Sequence, residues 1–210
     1  MNMAISKVRG AFFKMNVLAT RAAFRAACAT FVNQIEDIEK DGNDFQTRVD
    51  ADEAQWSEVD EDTGIGFDYG DELAERRFEA EEALSTLRKA FAILAYHQWE
   101  RGALSWAKYE KKRPNHGDYV SALTTSGIQV DINGLADLNR IVNCLKHNNG
   151  KSGAELHSAR PDLFDPSFDP SALHPVTGKP LSHIKWEENL KLTDENVEEF
   201  FRTILNSAPR

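Results

Sequence analysis

The sequence predicts an all-α protein, a helical bundle of four to five helices, and two observations carry this prediction. Apolar residues recur every three or four positions over long stretches of the 210-residue chain, as they do on the buried face of an amphipathic helix. The alternation of apolar and polar residues that marks a half-buried strand is almost absent. Two of the predicted helices are long enough to pack side by side, so we expect a single helical domain over residues 1–210.

The first helix is predicted over roughly residues 5–40. The chain has no acidic residue before Glu36, and its basic, amphipathic start is also typical of an organellar transit peptide. An apolar stripe that continues beyond the basic zone favours one uninterrupted core helix instead. The residues of this stripe are Phe13, Val17, Phe24, Cys28, Phe31, Ile35 and Ile38.

Residues 41–70 are predicted to form an acidic, solvated linker. They hold ten acidic residues against one base, Arg48, and so account for the whole formal net charge of −9. The rest of the chain is balanced in charge, and the overall acidity therefore does not exclude RNA as a partner. An alternative role for this segment is to compete with RNA phosphates for the basic residues of the protein.

Three further helices are predicted from apolar spacing and from their end signals. A long helix covers about residues 71–112 and is ended by Pro114, and a short one covers residues 117–126. The next helix runs over residues 132–149. Its N-cap is Asp131 or Asn133, and Gly150 is its stop signal, followed by one or two turns near Ser152–Arg160.

The chain is predicted to close with a proline-rich loop and a C-terminal helix. The loop covers residues 161–190 and holds five of the seven prolines, and its length indicates that it wraps the bundle or covers a surface. The helix starts at Thr193 as its N-cap. Its core residues recur with helical spacing and are Val197, Phe200, Phe201, Ile204 and Leu205.

Several classes of protein are disfavoured by the sequence. No apolar run approaches the length of about 18–20 residues that a membrane span needs, so we expect no membrane partner. The two cysteines, Cys28 and Cys144, form no CxxC or Cys/His cluster, and neither a disulfide framework nor a metal site is indicated. We expect a cytoplasmic protein that needs no cofactor.

One face of the helix over residues 132–149 carries the candidate chemistry. Arg140 and His147 are seven residues apart, which places them about 20° apart around the helix axis, and Asn143 lies on the same stripe. The apolar residues of this helix cluster on its opposite side. A cation, an amide and an imidazole can bind and cleave a phosphodiester, or they can simply form a solvated face.

The segment from Asp118 to Phe164, about 47 residues, resembles bacterial members of the HEPN superfamily. The resemblance rests on the Arg140-x6-His147 spacing, on the surrounding Asn-x-x-Lys-His-x-x-Gly pattern and on the order of the helices. HEPN ribonucleases are helical bundles that carry an Arg-x4–6-His motif late in the bundle. They often place a polar residue directly after the arginine, where this sequence has Ile141.

The resemblance implies a metal-independent endoribonuclease of the toxin or phage-defence type. The ribose 2′-OH attacks the adjacent phosphate, with His147 as general acid or base, Arg140 on the phosphate and Asn143 as an orienting residue. HEPN nucleases pair two such helices in a homodimer with a composite active site, and an antitoxin or inhibitory partner is a further expectation. The alternative is a non-catalytic HEPN-like module that binds nucleotides or a partner protein.

Cations near the motif are the predicted contacts for the RNA backbone. Lys146 and Lys151 lie closest to it in the sequence. A second group of cations comes earlier in the sequence, at the end of the second long helix. Aromatic rings accompany these cations, and this combination is typical of sites that bind single-stranded RNA. Such cations also complement the macrodipole at a helix C-terminus, so this reading stays open. The group comprises Lys111, Lys112 and Arg113, with Lys108, His116, Trp106 and Tyr109 beside them.

Overall fold

Helices dominate the structure, a computed structural model that describes residues 3–59, 63–64, 66–109, 111–173, 178 and 184–209. Within these ranges it has seven α-helices and one antiparallel hairpin. The helical class is confirmed, but four to five helices was too low a number, because α5 and α6 lie where turns and a loop were expected. The elements are α1 (Met3–Asp50), β1 (Ser57–Val59), β2 (Gly66–Asp68), α2 (Tyr69–Trp106), α3 (His116–Thr125), α4 (Ile132–His147), α5 (Gly150–Ala159), α6 (Trp186–Asn189) and α7 (Asp194–Asn206).

The chain divides into two compact units. We call residues Phe24–Leu87 the hairpin unit, and Met1–Ala23 together with Arg88–Arg210 the site unit. Helices α1 and α2 each contribute to both units. The prediction of a single domain over residues 1–210 stays a prediction.

In the site unit, the first part of α1 packs antiparallel to the last part of α2. The Phe13 ring meets the Trp106 indole edge-on, with ring centroids 4.8 Å apart. About two turns away along each helix, the Gln98 amide donates a hydrogen bond of 2.6 Å to the Thr20 hydroxyl. Helix α2 ends at Trp106 and not near residue 112, because the Tyr109 hydroxyl turns back to donate to the Ala103 carbonyl in its last turn.

The hairpin unit overturns the prediction of an acidic linker over residues 41–70. Helix α1 continues to Asp50, and the hairpin β1–β2 joins it to α2. The physical reason is an aromatic cluster within the acidic segment, in which the Phe45 ring centroid lies 4.7 Å from that of Trp56 and 4.3 Å from that of Tyr69. Trp56 and Tyr69 also pack against the buried core of this unit.

Helix α4 is the central helix of the site unit and contacts α3, α5, α6 and α7. Its N-cap is Asp131, whose carboxylate accepts from the Gly134 backbone N–H at 3.0 Å, which decides between the two predicted caps. Gly150 was wrongly predicted as the stop signal. Asn148 takes the left-handed conformation at the C-cap, with φ of 44°, and Gly150 instead begins α5. The buried residues of α4 are Leu135, Leu138, Ile141, Val142 and Cys144.

The proline-rich segment is more ordered at its two ends than a plain loop. It opens with a 3₁₀ turn at Pro161–Leu163 and closes with α6. The two ends meet, because the Lys191 N–H donates to the Leu163 carbonyl at 2.8 Å and Phe164 pairs with Leu190 in an antiparallel bridge. Pro175 and Pro180 of the predicted loop lie outside the described residues. Among the helices that the structure describes, none combines the length and apolarity needed to cross a membrane.

Candidate functional site

Arg140 lies in a cleft of about 340 Å³ in the site unit. Its lining comes from α4, from the first residue of α3, and from the first two turns of α5 together with the N-cap of that helix. Such a volume falls within the range of about 300–1,000 Å³ that is usual for small-molecule sites. The cleft is lined by His116, Ala136, Asn139, Arg140, Asn149, Lys151, Ser152 and Glu155.

The Arg140 guanidinium is held by two carboxylates but keeps part of its donor edge open. Its Nη1 lies 3.0 Å from an Asp137 carboxylate oxygen, and its Nε lies 3.2 Å from a Glu155 carboxylate oxygen. Its Nη2 has no partner among the described residues. Because a guanidinium has five N–H donors in one plane, Arg140 is fixed in orientation and can still bind an anion. Lys151, with 86% of its side chain exposed, adds a second cation at the rim.

His116 is the imidazole that the structure brings to Arg140. The Tyr96 hydroxyl donates to the Asn139 amide oxygen at 2.9 Å, and its oxygen lies 3.0 Å from His116 Nδ1. Since the single Tyr96 proton is used on Asn139, Nδ1–H of His116 is the donor to Tyr96. The ring also packs on Tyr96 and Trp99, with centroids 6.0 and 5.8 Å away, which fixes its plane.

Burial and the positive charge of Arg140 both lower the pKa of His116 below its ordinary value of 6.5. The imidazole is therefore neutral at pH 7, and its Nε2 carries a free lone pair. Burial also raises the pKa of Tyr96, which keeps its hydroxyl protonated and able to donate to Asn139.

His147 and Asn143 do not line this cleft. His147 is the last residue of α4 and is exposed, and Asn143 is half-buried between it and Arg140. Neither side chain has a hydrogen-bond partner among the described residues. Seven residues of helix separate the backbones of Arg140 and His147 by about 10 Å along the axis. All three predicted residues lie on α4, but of the three only Arg140 lines the cleft.

Apart from Lys151, the predicted RNA-binding cations lie in two places, near the end of α4 and in the loop before α3. Lys146 is exposed, and its Nζ lies 3.4 Å from His97 Nε2. Lys111 is bound to Asp118, with Nζ–Oδ1 of 2.8 Å, while Lys112 and Arg113 are exposed. The last three stand in the loop before α3 and not at the end of a helix, so the macrodipole explanation for them no longer holds. This loop leads directly into His116.

Sequence reasoning missed the residues that surround Arg140. In the sequence His116 stands out only as part of a basic run, and no pattern singles out Tyr96 or Glu155. The usable signal was the capping box formed by Asn115 and Asp118, which places His116 at the first position of α3. Ile141 occupies the position after the arginine, which is often polar in HEPN ribonucleases. Here its side chain is fully buried in the core and cannot reach a ligand.

Comparison of the chain with protein-family models, with curated proteins and with solved structures finds no significant match. The function must therefore be argued from the site itself.

The environment of His116 can be checked by following its imidazole signals in an NMR pH titration. We expect a midpoint below 6.5, and we expect Arg140→Ala to raise that midpoint, because it removes a positive charge beside the imidazole. Arg101→Ala, which removes an exposed arginine of α2 outside the cleft, should leave it unchanged. A midpoint that falls or stays fixed in Arg140→Ala would contradict this arrangement.

Proposed function

We propose that this protein is a HEPN-like, metal-independent endoribonuclease of the toxin or phage-defence type. The 2′-OH of RNA attacks the adjacent phosphorus, the bond to the 5′-oxygen breaks, and the products carry a 2′,3′-cyclic phosphate and a 5′-OH. Arg140 binds the phosphate and offsets the negative charge that develops on it. His147 exchanges a proton with the reacting oxygens, and Asn143 orients the phosphate or the imidazole.

The observation that carries this proposal is the position of Arg140. It lines a cleft that is large enough for a nucleotide, and its guanidinium has open donors. Lys151 is a second cation at the rim, and further cations lie in the loop before α3. Phosphate groups are bound in this manner by arginine, which offers several donors in a fixed plane. The helical fold agrees with the resemblance to HEPN proteins but does not by itself specify an activity.

The exposure of His147 supports the composite, dimeric form of the site. Arg140 and His147 share the solvent-facing stripe of α4, yet their backbones are about 10 Å apart along the helix. A second copy of this face, related by a two-fold axis, would bring the His147 of one protomer towards the Arg140 of the other. Sedimentation of the purified protein tests this part, and a strict monomer under the conditions of activity would contradict it.

The experiment that tests the proposal is RNA cleavage by the purified protein in the presence of EDTA. We expect cleavage to persist, and we expect mass spectrometry of the products to show 2′,3′-cyclic phosphate and 5′-OH ends. The His147→Ala protein, purified in the same way, controls for a contaminating nuclease. Intact RNA, or products with a 5′-phosphate, would contradict the proposal.

A second candidate function is a non-catalytic module that binds nucleotides or a partner protein. Two observations favour it, namely the absence of His147 from the cleft that contains Arg140 and the burial of Ile141 in the position that is often polar in HEPN ribonucleases. Under this alternative the protein binds RNA or nucleotides in the same assay without producing cleaved ends.

A further inference from the structure

The cleft around Arg140 presents donors for an anion from several directions. Besides the open Nη2 of Arg140, the Asn139 amide uses its oxygen to accept from Tyr96, which leaves its NH2 group free to donate. Ser152 and Lys151 contribute a hydroxyl and an ammonium group from the first turn of α5. A tetrahedral phosphate, which accepts several hydrogen bonds from different directions, suits this set better than a planar carboxylate does.

The cleft also contains an acceptor, which a simple phosphate site does not need. His116 lines the cleft, and its Nδ1 is committed to Tyr96, so Nε2 is the nitrogen left for a ligand. In the neutral imidazole this nitrogen accepts a hydrogen bond and cannot donate one. A ligand that brings a hydroxyl donor close to its phosphate complements both this acceptor and the donors around it. A ribose with a 3′-phosphate has this feature in its 2′-OH, and a deoxyribose lacks it.

We propose that the cleft binds a ribonucleotide 3′-phosphate, with Arg140 and Asn139 on the phosphate and His116 Nε2 accepting a hydrogen bond from the adjacent 2′-OH. The site thereby selects ribose over deoxyribose through His116, a residue of α3 outside the Arg140–His147 motif. The inference rests on the phosphate contact of Arg140 in the proposed function but does not require that the RNA be cleaved.

The charged groups around His116 agree with this role. Arg140 on α4 and Lys151 on α5 bring positive charge to the cleft, and Glu155 on α5 is the carboxylate that lines it. Glu155 is half-exposed and occupies only the Nε edge of Arg140, so a phosphate can bind at Nη2 without removing it. Tyr96, on α2, faces His116 as a neutral hydroxyl. The aromatic contacts with Tyr96 and Trp99 hold the ring in place before any ligand arrives.

Isothermal titration calorimetry with uridine 3′-monophosphate and its 2′-deoxy analogue tests the proposal. We expect the wild-type protein to bind the ribonucleotide about fivefold more tightly, as one hydrogen bond provides. His116→Phe keeps the ring but removes the nitrogen, and the two affinities should become equal. Tyr96→Phe should reduce the preference, because His116 Nδ1 loses its partner. Arg140→Ala should weaken both ligands by about tenfold or more, while Arg101→Ala should change neither.

Several results would overturn the proposal: no binding of either ligand, equal binding of both by the wild type, or a ribose preference that survives in His116→Phe with unchanged thermal unfolding. A ten-residue oligouridylate with a 3′-phosphate, titrated into His147→Ala, separates two sources of the ligand. Affinity well above that of the mononucleotide identifies an RNA chain, and equal affinity identifies a free nucleotide, each consistent with the same cleft.

The binding measurement and the cleavage assay can fail independently of each other. The mononucleotide lacks the bond to a following 5′-oxygen, so its binding does not depend on cleavage. A protein that prefers the ribonucleotide but leaves RNA intact disproves the endoribonuclease and retains this site. A protein that cleaves RNA but shows no such preference disproves the role of His116 alone.

Discussion

Replacing His147 by alanine is expected to lower the rate of RNA cleavage at least about a hundredfold, since general acid–base catalysis by a positioned side chain contributes about 10²–10⁴. Arg140→Ala is expected to cause a loss of about 10²–10³, the usual effect of removing a donor that stabilises developing negative charge. Arg140→Lys should recover only part of this loss, because an ammonium group lacks the planar set of donors. Initial rates on a defined RNA measure all three effects.

These variants separate a catalytic effect from a folding effect. His147 is exposed, and the ion pairs of Arg140 with Asp137 and Glu155 are partly exposed, so each pair contributes only about 0–1 kcal/mol to stability. We therefore expect unfolding midpoints close to that of the wild type. Arg101→Ala removes an arginine of α2 outside the cleft and should retain full activity. Cleavage at the wild-type rate by both His147→Ala and Arg140→Ala would contradict the proposed function.

The sequence predicted the helices best where one apolar stripe decides the structure. The core face of α7 is buried as expected at Val197, Phe200 and Ile204, and Thr193 is its N-cap. The prediction was wrong in the segment over residues 41–70, where its acidic charge and its aromatic packing favour different structures. Ten acidic residues indicated a solvated linker, whereas three aromatic rings within the same segment are enough to fold it into a helix end and a hairpin.

The site was only half predictable, for a similar reason. Helical periodicity predicts that Arg140 and His147 lie on one face of a helix, and both residues do lie within α4. It says nothing about His116, which reaches Arg140 through a capping box on α3 and a hydrogen bond from Tyr96 on α2. Contacts between residues 20 or more positions apart depend on how the helices pack, and a single sequence does not contain that information directly.

Gly153→Ala is expected to destabilise the protein by about 3 kcal/mol, the upper end of the cost of overpacking a core. A Cβ at this position would lie 2.6 Å from Trp186 Cε2 and closer still to two other ring atoms. The indole cannot yield, because it packs against His157, Phe164 and Phe168. This cost exceeds the gain of about 1 kcal/mol that alanine brings over glycine within a helix. Chemical denaturation measures the difference.

Gly150→Ala is the matched control, because it lies in the same helix and faces the same indole. Its added Cβ would meet Trp186 Nε1 at 3.9 Å, an ordinary contact, so we expect stability at or slightly above that of the wild type. In a Trp186→Leu background, Gly153→Ala should become almost neutral. If it stayed equally destabilising there, the indole would not be the cause. The backbone N–H of Trp186 donates to the Asn148 side-chain oxygen at the C-cap of α4. A shift of residue 186 that moves its backbone together with the indole would therefore also disturb the junction of α4 and α5 beside the cleft. A loss of ligand binding in Gly153→Ala, at temperatures where it is still folded, would follow from that connection.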